Sequence, residues 1–89
     1  MKYTLLKFYA SWCVPCTQLS RLLAELRVNE SQLFHNITII DINADNESKE
    51  LDTYKIVNIP TLILLENGQV IKKNVGNMTK QQLISFLTI

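Results

Sequence analysis

Four short segments of the chain are dense in aliphatic and aromatic residues, a composition that favours β-strands. The predicted strands cover residues 3–9, 37–42, 61–66 and 69–75. The second segment, ITIIDI, is rich in β-branched residues and predicts a strand buried on both faces. The fourth carries several polar residues, which indicates the edge of a sheet. Asn67-Gly68 separates the last two strands and is typical of a two-residue hairpin turn.

Helical periodicity is strongest after the first strand. Four leucines there follow the i, i+3, i+4, i+7 spacing of one helix face: Leu19, Leu22, Leu23 and Leu26. This spacing predicts a helix over 14–28. A last helix is predicted over 80–88, where Thr79 is placed to cap its first turn.

A short helix is predicted between the second and third strands. Asp45 or Asn46 can cap it, and it runs to about Lys55. The order of elements is then β-α-β-α-β-β-α, in which the first two strands are parallel and the hairpin is antiparallel. We therefore predict an α/β fold with a four-stranded mixed sheet flanked by three helices, in a single domain over 1–89.

Composition and charge exclude several classes of protein. The chain has 89 residues, of which 47% are hydrophobic and 19% charged, as expected for one globular domain. Its net charge of +1 argues against a nucleic-acid partner, because such proteins normally carry a basic excess. Two cysteines are too few for a disulfide-rich scaffold or a four-thiolate zinc site.

The N-terminal segment lacks the features of a secretory signal. Lys7 interrupts the apolar run after Leu5 and Leu6, whereas a secretory core needs about 7–15 apolar residues. No segment approaches the roughly 18 apolar residues of a membrane span. We therefore expect a soluble, monomeric, cytoplasmic protein without a membrane partner, whose thiols are mostly reduced.

The two cysteines form a Cys-x-x-Cys motif between the first strand and the first helix. Cys13 is predicted at the helix N-terminus, where free backbone N–H groups and the helix dipole lower the pKa of a thiol. Cys16 lies one turn further on and nearer the interior, so it is suited to attack a mixed disulfide in the second step. Pro15 is tolerated because a first-turn residue has no intrahelical N–H bond to lose. Trp12 offers a flat apolar surface to a partner.

Two segments of this sequence resemble the thioredoxin family. ASWCVPC, residues 10–16, resembles the thioredoxin active-site motif, with Val14 where a Gly is usual. VNIPT, residues 57–61, resembles the family's cis-proline loop. The match covers nearly the whole chain, but the strand and helix that usually open thioredoxins are missing. The resemblance implies a minimal thioredoxin fold of glutaredoxin size.

The resemblance also implies roles for particular residues. Cys13 would be the attacking thiolate and Cys16 the resolving thiol of a thiol:disulfide oxidoreductase that reduces protein disulfides. Pro60 would follow a cis bond and expose the Ile59 backbone for strand-like pairing with a substrate.

Further residues of the family's substrate-binding surface have counterparts here. Trp12, Pro15 and Gly76 would belong to the apolar rim that receives the substrate. The resemblance implies no bound cofactor, and the two cysteines have too few further ligands for a metal site. Electrons would come from an NADPH-linked thioredoxin-reductase-type donor, or from glutathione, and the partners would be client proteins that contain disulfides.

One departure from the family pattern concerns two charged positions. Thioredoxins usually have a buried Asp where this chain has Lys7, and commonly a Lys where it has Asp41. The charges are exchanged between strands that we expect to be neighbours, so two buried charges would still offset each other. We hypothesise that Asp41, or a neutral fraction of Lys7, is the acid/base for Cys16. A purely structural ion pair is the alternative.

The sequence alone leaves other functions open. A glutaredoxin-like protein would take its electrons from glutathione; the small size favours this, whereas the Trp-Cys-x-Pro-Cys order argues against it. A thioredoxin-fold binding module would hold a partner through the Trp12, Pro60 and Gly76 rim, but the intact dithiol argues against that as a sole role. Zinc would need further ligands, and His35 is the one histidine.

Overall fold

The computed structural model of the chain describes residues 2–46 and 48–89. Its elements follow the predicted order: β1 (Tyr3–Tyr9), α1 (Val14–Asn29), β2 (Ile37–Asn43), α2 (Ser48–Thr53), β3 (Thr61–Glu66), β4 (Gln69–Val75) and α3 (Lys80–Leu87). A short 3₁₀ helix, Ser31–Phe34, interrupts the connector between α1 and β2. Within the described residues, none of the helices is long and apolar enough to cross a membrane.

The four strands form one mixed sheet in the order β2-β1-β3-β4. β1 runs parallel to β2 and antiparallel to β3, and β4 pairs with β3 as a hairpin. The predicted fold class is therefore confirmed. The hairpin turn holds Asn67 and Gly68 at positive φ, as a tight turn of this kind requires.

Side-chain alternation along β1 divides the core between the two faces of the sheet. Leu5 packs with leucines of α1 and α3 in one cluster. Leu6 and Phe8 belong to a second cluster, against which Leu51 and Tyr54 of the α2 region pack. Both faces of the central strand are thus covered by helical residues, and Lys7 points to the same face as Leu5.

The prediction that β2 is buried on both faces is wrong. β2 lies at the edge of the sheet, where Ile40 is 46% exposed and Asp41 is also exposed. A run of β-branched residues indicates strand propensity but not strand position, since packing context decides burial. The buried strand is instead β3, in which the five residues 61–65 are all buried.

Helix boundaries agree with the prediction to within a few residues, except at α2. This helix covers Ser48–Thr53, whereas the prediction placed its cap at Asp45 or Asn46 and its end near Lys55. Lys55 has a φ of 53°, a left-handed conformation that cannot continue a right-handed helix. Glu47, which the prediction also placed in this helix, lies outside the described residues. The predicted Thr79 cap is present as a capping box with Gln82.

Candidate active site

The chain between β1 and α1 brings the two cysteines to the start of a helix. The Cys13 N–H donates to the Ala10 carbonyl at 3.1 Å, which closes the turn that follows β1. Cys13 itself is extended and occupies the N-cap position of α1, one residue before the first helical residue. Cys13 and Cys16 are joined by a disulfide, with their Cα atoms 5.2 Å apart.

The helix start provides a hydrogen-bond donor to the first sulfur. The backbone N–H of Cys16 donates to Cys13 Sγ at 3.2 Å, so this sulfur takes the place of an N-cap side-chain oxygen. Pro15 lies in the first turn, where its missing N–H costs no helical bond. A thiolate at Cys13 would therefore meet an N–H donor and the positive end of the helix dipole.

Both cysteines are buried in the disulfide form. Cys13 is 5% exposed and Cys16 is 2% exposed, and they form a small cluster with Ala10. Tyr9 and Ile59 pack against this cluster from β1 and from the loop before β3. Cys16 is thus the deeper of the two residues, although the difference is small.

The loop before β3 lies against the cysteines and is fixed by backbone hydrogen bonds. Its Ile59–Pro60 peptide bond is cis, and Pro60 is buried. The Gly76 N–H donates to the Pro60 carbonyl at 2.8 Å, and Gly76 has a φ of 93°. The Thr61 hydroxyl donates to the Asn58 carbonyl at 2.6 Å. These contacts bring together Pro60 and Gly76, which are far apart in sequence, at the loop whose Ile59 packs against the cysteine cluster.

An open groove of about 500 Å³ runs between the active-site turn and this loop. Its lining residues are Trp12, Cys13, Val14, Pro15, Val57, Asn58 and Ile59. Trp12 is 69% exposed and Val57 is 89% exposed, so the rim presents large apolar side chains to solvent. None of the lining residues carries a formal charge. The groove is therefore suited to an extended, largely apolar peptide segment.

Trp12 is held by a residue that sequence reasoning did not connect with the site. Its indole N–H lies 3.0 Å from one carboxylate oxygen of Asp45 and 3.3 Å from the other. Asp45 follows β2, and Trp12 follows the parallel strand β1. The carboxyl ends of parallel strands meet at one edge of a sheet, so strand order was the signal that could have placed these two residues together.

The two charged residues that depart from the thioredoxin pattern stand at paired positions of β1 and β2. Lys7 Nζ lies 3.2 Å from Asp41 Oδ1, but the two side chains differ in exposure: Lys7 is 14% exposed and Asp41 is 56% exposed. The prediction of two buried charges is therefore wrong for Asp41. Because β2 is the edge strand, this carboxylate keeps much of its contact with water.

Lys7 has a second polar partner, which lies on α1. Its ammonium donates to Ser20 Oγ at 2.9 Å, and it also lies 5.8 Å from the centroid of the Tyr9 ring. Ser20 follows Cys16 by one helical turn, and Tyr9 packs against the cysteine cluster. The Lys7 ammonium thus contacts two neighbours of Cys16: Ser20 on the same helix, and Tyr9, which packs against the cysteine cluster. Sequence reasoning missed Ser20, although its i+4 spacing from Cys16 was visible.

Comparisons with known proteins find thioredoxins among the relatives of this chain. A family model described as thioredoxin matches residues 1–89. The thioredoxin of Haemophilus influenzae is 35% identical over 83 residues, covering 93% of this chain and 75% of that protein. The thioredoxin of Chlamydia pneumoniae is 39% identical over 83 residues, covering 93% of this chain and 78% of that protein.

Solved structures show the same fold. Trxlp from Edwardsiella tarda has a TM-score of 0.88 and 28% identity, covering 99% of this chain and 84% of that chain. A mutant thioredoxin from Halobacterium salinarum has a TM-score of 0.81 and 24% identity, covering 97% of this chain and 72% of that chain.

The disulfide at the start of α1, in a fold shared with these proteins, defines the class: a thiol:disulfide oxidoreductase that reduces protein disulfides. The match over the whole chain then identifies the family, and the chain belongs to the thioredoxins. Proteins of this family generally work without a bound cofactor, through a redox-active disulfide, and exchange electrons with disulfide-containing substrates and a reductase donor.

Proposed function

We propose that the protein reduces client disulfides in two exchange steps, with Cys13 as the nucleophile and Cys16 as the resolving thiol. The Cys13 thiolate attacks one sulfur of the client disulfide; a mixed disulfide forms and the other client sulfur leaves as a thiolate. Cys16 then loses its proton and attacks Cys13 Sγ. This closes the Cys13–Cys16 disulfide and releases the second client thiolate, so two electrons have passed to the client.

The observation that carries the assignment is the hydrogen bond from the Cys16 N–H to Cys13 Sγ at 3.2 Å. A donor aimed at this sulfur stabilises the thiolate more than the thiol, because hydrogen bonds to charged groups are the stronger ones. The second sulfur, Cys16, lies inside the first turn of α1 and is almost fully buried. This asymmetry favours Cys13 as the attacking group.

The groove beside the disulfide supports the proposed substrate-binding residues. Trp12, Pro15 and Ile59 line it, and Pro60 and Gly76 are joined by a backbone hydrogen bond next to it. We assign to these five residues the binding of the client segment that carries the disulfide. The Ile59 backbone would pair with that segment as a neighbouring strand would.

We propose an NADPH-linked thioredoxin-reductase-type donor as the source of electrons, with glutathione as the alternative. We also propose that the protein works in the cytoplasm as a monomeric, single domain over 1–89. The helices of the described residues include no membrane span, and a dithiol that must be reduced between turnovers is suited to a reducing compartment.

We further propose that the Lys7–Asp41 pair serves the second step, in which Asp41, or a neutral fraction of Lys7, exchanges the proton of Cys16. The contact of Lys7 with Ser20, one turn from Cys16, supports this role. Asp41→Asn and Lys7→Met should then slow the second step across a range of pH. If neither variant slows it, the pair is structural.

Insulin reduction tests the main proposal. The protein is supplied either with thioredoxin reductase and NADPH, or with glutathione, glutathione reductase and NADPH, and precipitation of the insulin B chain is followed. Turnover with the first system is expected. Turnover with glutathione alone would identify a glutaredoxin-like enzyme. No turnover with either system, together with partner binding that Cys13→Ser leaves intact, would point to a binding module.

Two cysteine variants test the order of attack. Cys16→Ser is expected to accumulate a mixed disulfide with the client through Cys13, visible by mass spectrometry. Cys13→Ser is expected to form no such adduct. The opposite pattern would reverse the roles of the two cysteines. Ser85→Ala, at an exposed position of α3, is the control variant: it is prepared in the same way and should give the same adducts as the unaltered protein.

A further inference from the structure

We infer that Ser20 is a positioning residue for the second exchange step, because its hydroxyl holds the Lys7 side-chain nitrogen close to Cys16. This inference rests on the proposed order of attack and assigns a function to a residue outside the Cys-x-x-Cys motif. Ser20 would not touch the substrate; it would act through Lys7.

The first observation is the hydrogen bond itself. Lys7 Nζ donates to Ser20 Oγ at 2.9 Å, at a position where the Lys7 side chain is 14% exposed. An ammonium can only donate, so the Ser20 oxygen is the acceptor in this bond. The contact links β1 to α1 across 13 residues of sequence. A largely buried ammonium needs such partners, and Ser20 is the one supplied by the active-site helix.

The second observation is where Ser20 lies on α1. Residues four apart in a helix are neighbours on one face, with Cβ atoms about 5–6 Å apart. Ser20 is four residues after Cys16, which is the slightly deeper of two buried cysteines. By accepting from Lys7, Ser20 therefore directs a positive charge to the helix turn next to the sulfur that must become a thiolate in the second step.

The third observation is that Lys7 has a second polar partner, which lies on the edge strand rather than on the active-site helix. Asp41 Oδ1 lies 3.2 Å from Lys7 Nζ on the edge strand and is more than half exposed. Arg27 of α1 lines the same pocket as Lys7, Ser20 and Asp41, and the Tyr9 ring lies 5.8 Å from Nζ. Within the described residues, Asp41, Arg27 and Tyr9 are the titratable and charged groups that these contacts place around the ammonium. Without the Ser20 hydroxyl, we expect Lys7 to keep its contact with Asp41 and to shift away from α1 toward solvent.

The consequence concerns the second step only. Near neutral pH, Cys16 must lose its proton to attack, and a positive group one helical turn away favours the thiolate. Formation of the mixed disulfide depends on Cys13, which has its own donor in the Cys16 N–H. Loss of the Ser20 hydroxyl should therefore leave the first step unchanged and slow the second.

A stopped-flow experiment with the reduced protein and 5,5′-dithiobis(2-nitrobenzoate) separates the two steps. Attack by Cys13 releases one thionitrobenzoate at a rate that depends on reagent concentration. Attack by Cys16 on the resulting mixed disulfide releases the second at a rate that does not. For Ser20→Ala we expect the second rate at pH 7 to fall roughly three- to tenfold, less than the full effect of a hydrogen bond to a charged group, because the hydroxyl acts on Cys16 only through Lys7. The difference should shrink at high pH, where Cys16 ionises without help.

Three further variants decide between positioning and a merely structural role. Ser20→Thr keeps the hydroxyl and should restore the second rate. In a Lys7→Met background, Ser20→Ala should have no further effect, because residues that act through each other are not additive. Ser85→Ala, another serine-to-alanine change in a helix, should alter neither step.

An unchanged second rate in Ser20→Ala would overturn the inference, as would an equal slowing of both steps or an equal effect with and without Lys7. None of these results would affect the proposed function, since insulin would still be reduced. Failure of the unaltered protein to reduce insulin would instead contradict the proposed function.

Discussion

Replacing Lys7 by methionine is predicted to leave the protein as stable as before or more stable, even though it removes an ion pair. Lys7 is 14% exposed, so folding takes most of its charge out of water. The effective cost of burying such an ion is several kcal/mol. Methionine has a similar length and would bury an unbranched apolar chain on the same face of β1 as Leu5.

The contacts that offset this cost are individually modest. The bond from Lys7 to Ser20 contributes about 1.5–3 kcal/mol as a charged hydrogen bond. The pair with Asp41, a carboxylate that is 56% exposed, contributes at most about 1 kcal/mol. The approach to the Tyr9 ring adds roughly 0.5–1 kcal/mol. Together these gains are similar to the desolvation cost, so we expect Lys7→Met to change the free energy of unfolding by between about 0 and +3 kcal/mol.

Urea unfolding of the oxidised protein, followed by circular dichroism, measures this change. Lys73→Met is the matched control, because Lys73 is exposed on β4 and its replacement should alter stability by less than about 0.5 kcal/mol. A loss of more than about 2 kcal/mol in Lys7→Met would refute the reasoning, since it would mean that the ion pair outweighs the cost of burying the charge. A gain in stability together with a slower second exchange step would show that the lysine is kept for chemistry at the expense of stability.

Three other substitutions test how the scaffold is held together, and urea unfolding measures each of them. Leu64→Ala should lower the free energy of unfolding by about 3–5 kcal/mol, because Leu64 is fully buried in the cluster under α1 and α3. Val70→Ala, on the exposed edge strand β4, is the control and should cost far less. Equal losses in the two variants would contradict the assigned core. Thr79→Ala should cost about 1 kcal/mol by removing the capping box of α3, and Thr79→Ser should recover most of it. Gly76→Ala should cost about 1–2 kcal/mol from its φ of 93° alone, since no heavy atom beyond its chain neighbours lies within 4 Å of the added Cβ. A larger loss would indicate a steric clash.

The order of elements was predictable because each has a strong local signal. The leucine spacing of α1, the Asn67-Gly68 turn and the Thr79 cap depend on residues close together in sequence. The polar residues of β4 indicated its position at an edge of the sheet, but the edge position of β2 had no such signal. ITIIDI was predicted to be buried on both faces, but the sheet order places β2 at the edge, whereas the similarly apolar TLILLE forms the buried strand β3.

The candidate site was predictable to the extent that it is contiguous in sequence or resembles a known motif. Cys13, Cys16 and Pro60 were identifiable for that reason. Asp45 and Ser20 were not, because each reaches the site through a single side-chain contact with a residue far along the chain. Such contacts depend on how the elements pack, and neither residue type is unusual enough to stand out. Strand order would have indicated Asp45, and helical spacing from Cys16 would have indicated Ser20.

The edge position of β2 has a consequence for how copies of the protein behave at high concentration. An unpaired strand edge is a template for association with another chain, and charged side chains are a common means of preventing it. Asp41 lies in the middle of this strand and keeps more than half of its side chain in water. A second copy that paired with β2 would have to strip water from this carboxylate. We therefore expect Asp41 to disfavour this pairing, so that its loss should appear as concentration-dependent light scattering.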